Sequence, residues 1–222
     1  MKYVDLRWEH ITYTLNPGKK QQKVVLDDIS GELPGGCLLA ILGPSGSGKT
    51  SLLNVLAGRV PLSKGATLTG TVTADGKPRG AVPSAYVMQD EALFELATVR
   101  ETLMFTAQLR LPHGSSMVVM EDRVGEVMSE LNISKCADTI IGNQKVRGLS
   151  GGERKRVNIG VELLNNPPLV FMDEPTSGLD SFQAAAVMST LSNLARAGRT
   201  IVASIHQPRS SIYAMLDQML LM

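Results

Sequence analysis

The segment Gly43-Pro44-Ser45-Gly46-Ser47-Gly48-Lys49-Thr50 sets glycines, a lysine and a hydroxyl between an apolar run, 38–42, and a helical stretch, 51–57. Glycines let the backbone curl until successive N–H groups face one anion, and a helix that follows directly points its positive end at the same place. Lys49 adds a mobile charge near the β- and γ-phosphates of a bound nucleotide, and the Thr50 hydroxyl is placed to ligate Mg²⁺. This is the pattern of a P-loop in its required strand-to-helix context. A dinucleotide fingerprint fails, because Ser51 stands where its third glycine is needed. Ser51 joins residues 43–50 as a candidate phosphate contact.

A second apolar run, 169–172, ends in Asp173-Glu174. If the run is a parallel strand, both carboxylates sit at the carboxyl edge of the sheet, where ligands of such folds bind. The two suit different tasks: Asp173 to hold Mg²⁺ through its water shell, Glu174 to orient and deprotonate an attacking water. Further on, Ser150-x-x-Glu153 reads as a capping box opening a helix over 153–164, closed by Asn165-Asn166 and Pro167-Pro168. A helix start with a serine and two glycines, Gly151 and Gly152, also offers bare N–H groups and a hydroxyl to an anion.

These groups must be held by a sheet and its helices. Alternating apolar residues over 3–14 and again over 24–33 predict an antiparallel strand layer ahead of the phosphate loop. Short apolar runs at 38–42, 85–88, 169–172 and 200–204, alternating with helical periods, predict buried strands of a parallel sheet. Helical spacing over 98–109 and 121–131, with Thr98 and Glu101 as a capping box, predicts an inserted helical subdomain. The expected fold is α/β: a P-loop NTPase core with a parallel sheet, an N-terminal antiparallel β layer and an inserted α-helical subdomain. Residues 1–94 and 165–222 form the core in this reading, and 95–164 the helical subdomain. Loops near 61–65, 76–83 and 111–116 are too short to be interdomain linkers.

With 222 residues, 43% of them hydrophobic, the chain can bury a sizeable interior. A net charge of +1 gives no electrostatic argument for a nucleic-acid or membrane-surface partner, and no nucleic acid is expected. Cys37 and Cys136 lack metal-ligand spacing and read as structural thiols in a reducing compartment. No run approaches about 18 apolar residues, so nothing here is expected to span a membrane by itself. The sequence stops at Met222, inside an expected strand, as if cut from a longer product whose transmembrane domain is missing. Arg154, Lys155 and Arg156 read as a solvated helix face, and His10 and His113 as surface residues. Met117, Met120 and Met128, like Met215, Met219 and Met222, read as adaptable core filling.

Leu149-Ser150-Gly151-Gly152-Glu153 resembles the LSGGQ signature loop of ABC ATPases, with Glu for Gln. In that family the loop binds the γ-phosphate of ATP held by the other subunit. Gln89 resembles the Q-loop glutamine that meets Mg²⁺ and links the site to the helical subdomain. Ser177-Gly178-Leu179-Asp180 resembles the D-loop, and His206 resembles the switch histidine near the γ-phosphate. Longer strings, including Tyr86-Val87-Met88-Gln89-Asp90, Thr98-Val99-Arg100-Glu101-Thr102-Leu103, Gly151-Gly152-Glu153-Arg154-Lys155-Arg156 and Ser204-Ile205-His206-Gln207-Pro208-Arg209, resemble subfamily G (White, pigment and drug-resistance) cassettes over nearly the whole chain.

The resemblance implies ATP and Mg²⁺ as ligands and hydrolysis served by Glu174, His206 and Gln89. It puts residues 43–51 with Ser150, Gly151, Gly152 and Asp180 on the nucleotide, and Thr50, Gln89 and Asp173 on the metal. It implies a second nucleotide-binding domain, identical or not, and a transmembrane domain of the same or a paired chain. Its place would be the cytoplasmic face of a membrane, powering export or flipping of lipids, sterols, pigments or drugs. Where many ABC cassettes stack adenine on an aromatic residue, this chain has Tyr13 followed by Leu15. Leu15 is expected to take that place, which weakens selectivity for ATP over GTP. Soluble ABC ATPases of repair or translation fit less well, because the P-loop and signature loop share one compact unit. A non-hydrolysing scaffold would not need Lys49, Gln89, Asp173, Glu174 and His206 together.

Overall fold

The computed structural model describes residues 3–18, 22–60, 65–90, 92–143 and 145–222. Of the expected loop at 61–65, residues 61–64 lie outside the described residues. Two sheets form. Strands β1 (Leu6–Leu15), β2 (Lys23–Leu33), β4 (Ala66–Ala74) and β5 (Lys77–Pro78) make an antiparallel sheet in the order β2-β1-β4-β5. Strands β3 (Leu38–Leu42), β6 (Ser84–Val87), β7 (Leu169–Asp173), β8 (Thr200–Ile205) and β9 (Gln218–Leu221) make a parallel sheet in the order β6-β7-β8-β3-β9.

The antiparallel layer keeps one apolar face by means of a bulge. Leu6 and Trp8 point inward at period two, then the register against β2 shifts between Trp8 and Ile11. His10 takes φ 53 and Asp28 opposite takes φ 47, so one extra residue is absorbed and Ile11 returns to the buried face. The His10 ring hydrogen-bonds Asp28 at 2.7 Å on the exposed side. Beneath the bulge, Trp8 lies so close to Gly31 that any Cβ there would collide with its indole ring.

Every residue of β3, β7 and β8 is buried, as strands covered on both faces must be. Alternation sends Leu39, Ile41, Leu169, Phe171 and Val202 to one face. There they pack with α1 (Lys49–Ala57) and the antiparallel sheet, through Leu52, Leu56, Leu6 and Trp8. Leu38, Ala40, Val170, Met172, Ile201 and Ala203 face the other way, against α2 (Val99–Arg110), α3 (Met117–Glu130), α4 (Gly151–Leu163) and α5 (Ser181–Arg196). A short α6 (Ser210–Tyr213) leads into β9.

Boundaries differ from expectation where caps decide them. Helix α3 starts at Met117, earlier than expected, because the Ser116 side chain accepts the Val119 N–H. Helix α2 opens on the expected capping box, with the Thr98 side chain accepting from Glu101 N and Glu101 reaching back to Thr98 N at 2.8 Å. Among the described residues no helix is long and apolar enough to cross a membrane. Both cysteines are free thiols, Cys136 buried and Cys37 half-buried, and burial raises the pKa of each.

Candidate nucleotide site

Strands β3, β6, β7 and β8 run parallel, so their carboxyl ends share one edge and deliver the candidate groups together. Residues 43–48 connect β3 to α1 there. Gly48 caps α1 with φ 104 and Gly46 has φ 80, left-handed conformations that an L side chain rarely adopts. Pro44, Ser45, Gly46 and Thr50 are exposed, and Ser51 is half-buried in the first turn of α1. Lys49 is buried, and its Nζ donates to the backbone oxygens of Gly43 at 3.0 Å and Pro44 at 2.9 Å, spanning the loop from inside.

Asp173 ends β7 and is 9% exposed. Its Oδ1 accepts the Thr50 hydroxyl at 3.0 Å and the Ser204 hydroxyl at 2.5 Å. Glu174 follows with φ 47. Its N–H donates to Ser204 Oγ at 3.0 Å, and its carbonyl accepts the Ser177 N–H at 3.0 Å. Its carboxylate accepts from Gln89 Nε2 at 3.2 Å, and the same amide reaches Ser177 Oγ at 3.5 Å. Gln89, two residues past β6, thus meets Glu174 at the same edge. His206 lies one residue past β8, exposed on the same edge.

These residues suit a nucleotide and Mg²⁺. The Ser47 hydroxyl is buried without a hydrogen-bond partner, an unmet polar group inside the loop. Thr50 has committed its only proton to Asp173, which leaves its lone pairs for a cation. With Nε2 engaged by Glu174, the Gln89 amide oxygen is the atom free to face a metal. A hydroxyl, one carboxylate and an amide oxygen are hard oxygen donors. Such a set matches an ion that keeps several waters and takes the rest of its shell from phosphate.

Ser150, Gly151 and Gly152 are brought elsewhere. They open α4, where Ser150 Oγ donates to Glu153 at 2.7 Å and the Glu153 carboxylate accepts the Ser150 N–H at 2.9 Å. These bonds hold the Glu153 carboxyl below its ordinary pKa. A side chain added at Gly151 would meet Leu179 at 2.9 Å and Gln183 at 3.0 Å, so the signature loop adjoins the D-loop rather than the P-loop of its own chain. Asp180 is spent on capping α5, accepting the N–H groups of Phe182 at 2.9 Å and Gln183 at 2.8 Å.

The solvated face expected for Arg154, Lys155 and Arg156 is corrected by the packing of α4. Lys155 is 7% exposed and its Nζ donates to Gln89 O at 2.7 Å. Arg154 donates to Gly142 O, and Arg156 is half-buried. Helix α4 is covered by α2, α5 and β6, so the stems of Arg154 and Lys155 run inward and their charged ends meet backbone carbonyls. Met117 and Met219 are exposed rather than core, while Met128 is buried. Tyr13 packs into the core beneath the antiparallel sheet, and Leu15 stands half-buried at the end of β1.

Ser204 carried no expected role. A serine that interrupts the apolar run of the fully buried strand β8 was its signal. An apolar groove of about 730 Å³ beside α2 was also not anticipated. It is lined by Leu93, Phe94, Leu96, Ala97 and Phe105, and the two phenylalanine rings meet edge to face at 5.3 Å.

Known proteins match this chain throughout. ABC transporter G family member 7 of Arabidopsis thaliana is 47% identical over 222 residues, covering 99% of this chain and 31% of the relative. G family member STR2 of Medicago truncatula is 43% identical over 228 residues, covering 98% of this chain and 31% of that protein. G family member 1 of Dictyostelium discoideum is 42% identical over 221 residues, covering 96% and 27%. The chain spans about a third of the length of the curated relatives it matches. With the family model for ABC transporter matching residues 26–177, the chain belongs to the ABC transporter family, and the relatives it matches are that family's G members.

Proposed function

We propose that this chain is the ATP-binding and ATP-hydrolysing cassette that powers movement of a lipid-like or amphipathic substrate through a transmembrane partner domain. The observation that carries the reading is the convergence of Lys49, Thr50, Gln89, Asp173 and Glu174 at one sheet edge. Residues 1–94 and 165–222 act as the catalytic core and 95–164 as the helical subdomain. The loop 43–51 wraps the phosphates with its N–H groups, and Lys49 transfers from the loop carbonyls to the β- and γ-phosphates. Mg²⁺, when bound, neutralises charge building on the phosphate oxygens; Thr50, Asp173 and Gln89 are the residues that would hold it. Glu174 orients a water and takes its proton as the water oxygen bonds the γ-phosphorus and the bond to the bridging oxygen breaks, yielding ADP and phosphate. His206 supports the γ-phosphate from the end of β8.

The site is completed by a second cassette, whose Ser150, Gly151 and Gly152 supply the opposite helix start. The position of these residues against Leu179 and Gln183, away from their own P-loop, supports this sharing. The groove at Phe94 and Phe105 supports docking of a transmembrane domain; the cytoplasmic face rests on the likeness to ABC transporters alone. The cargo class rests on the likeness to G family members alone. Specific ATPase activity of this chain over a concentration series, with sedimentation on the same samples, tests the shared site. Activity should rise as the chain pairs, and Ser150→Arg should abolish hydrolysis while sparing ATP binding to the monomer. Constant specific activity over a range where the chain is monomeric would contradict the sharing.

A further inference from the structure

Strand β8 crosses the dry centre of the parallel sheet, and Ser204 within it is 0% exposed. A hydroxyl in such a place has to be satisfied by protein. The parallel register sets Ser204 opposite Asp173 in β7 and Ile41 in β3. Strand alternation turns residues 202 and 204 to the face that carries α1, the face that also receives Asp173. The single hydroxyl then does two things: its proton goes to Asp173 Oδ1 at 2.5 Å, and a lone pair accepts the Glu174 N–H at 3.0 Å.

Glu174 has φ 47 without being glycine. Such a conformation persists only where its surroundings hold it. Two contacts act beyond its peptide N–H: the Ser177 N–H on its carbonyl and the Gln89 amide on its carboxylate, at 3.0 Å and 3.2 Å. The N–H itself is held by Ser204. The backbone at Glu174 and the carboxylate of Asp173 are therefore linked to each other through one buried oxygen.

We infer that Ser204 is a positioning residue for phosphate-bond hydrolysis, locking the metal-facing Asp173 and the water-facing Glu174 into one relative geometry. This rests on the hydrolysis reading of the site. Ser204 touches neither nucleotide nor water in this role and acts through its two neighbours. Loss of the hydroxyl frees the Glu174 peptide and removes one of the two hydroxyls on Asp173 Oδ1, leaving Thr50 alone.

The test compares the intact protein with Ser204→Ala and Ser204→Thr. Alanine keeps the strand and deletes only the oxygen, whereas threonine restores a hydroxyl on the same carbon. Two readouts are taken: hydrogen exchange of the Glu174 amide without nucleotide, followed by mass spectrometry, and single-turnover ATP hydrolysis as a function of Mg²⁺. Ser204→Ala should exchange Glu174 faster and hydrolyse ATP roughly 10- to 100-fold more slowly, as loss of an outer support of a metal ligand does. ATP affinity measured in chelator should be unchanged, and Ser204→Thr should recover both readouts. Parent-like exchange and parent-like turnover in Ser204→Ala would overturn the inference, as would a Ser204→Thr protein no better than alanine. A parent protein that binds ATP and never hydrolyses it would sink the hydrolysis reading instead, while the exchange arm still decides whether Ser204 anchors Glu174.

Discussion

Lys155 on α4 donates its ammonium to the backbone oxygen of Gln89 across 2.7 Å, so the helix that begins with the signature loop is fastened to the loop that carries Gln89. Asn158, one turn further along α4, reaches Met88 O at 3.5 Å. In one direction the Gln89 side chain touches Glu174; in the other its main chain holds α4. A path of covalent and hydrogen-bonded links therefore runs from Gln89 along α4 to Ser150.

Lys155→Met should separate these two ends. The methionine keeps an unbranched stem in the buried path but removes the ammonium that holds the Gln89 carbonyl, whose residue is exposed to water. ATP affinity should stay near that of the parent, while hydrolysis by the paired cassettes falls, because the signature loop no longer follows Gln89. Equilibrium nucleotide binding and steady-state turnover on the same preparation check this. An equal loss in both would mean that Lys155 serves only the fold.

An ion pair between a buried guanidinium and a half-buried carboxylate ties α3 to the segment between α5 and β8. Arg199, 1% exposed, meets Glu130 at 2.9 Å and Asn166 at 3.0 Å, and Arg123 approaches Glu130 at 3.9 Å. Burial pulls the Arg199 pKa down, and the Glu130 charge pushes it back. Glu130→Ala leaves a buried guanidinium without its carboxylate and should cost about 3 kcal/mol. For a chain of this size that is a fall in Tm of roughly 6–12 °C. Thermal unfolding measures it, and a shift within about 1 °C would show that Asn166 alone satisfies Arg199.

The capping box at Ser150 makes a prediction in pH. Glu153 has a folded-state pKa below its ordinary value, caused first by the hydrogen bonds from Ser150. Its contribution to stability is therefore full above the unfolded carboxylate pKa of about 4.3 and is lost as pH falls through the lower folded value. Glu153→Gln keeps an acceptor for the Ser150 N–H but cannot titrate. The difference in stability between parent and variant should hold steady from neutral pH down to about 4.3 and shrink below it. Paired thermal unfolding curves across that range decide the matter; a gap that widens in acid would contradict the cap as the cause.

The groups proposed to bind phosphate were legible because they are local. Residues 43–50 form a strand-to-helix turn by themselves, and Asp173-Glu174 ends an apolar run that could be little other than a buried strand. Ser150 and Glu153 declared their helix start in the same way. What stayed hidden depends on register and packing between distant segments. Ser204 meets Asp173 because β7 and β8 pair in one particular alignment. Lys155 is buried because α4 is covered on several sides, which a run of cations along a helix does not reveal. Strand β4, with the threonine-rich sequence ATLTGTVTA and little buried surface, gave a weak apolar alternation and was not foreseen.

In the proposed mechanism Glu174 performs the chemistry while Lys49 holds the nucleotide. Nucleotide affinity and single-turnover hydrolysis of Glu174→Gln and Lys49→Ala test it together, since glutamine keeps the shape of Glu174 and its contact with Gln89 but cannot accept a proton. Glu174→Gln should bind ATP like the parent and lose turnover, and Lys49→Ala should weaken binding and turnover alike. A Glu174→Gln protein that turns over like the parent would contradict the account, because the carboxylate at the end of β7 would then not be the base.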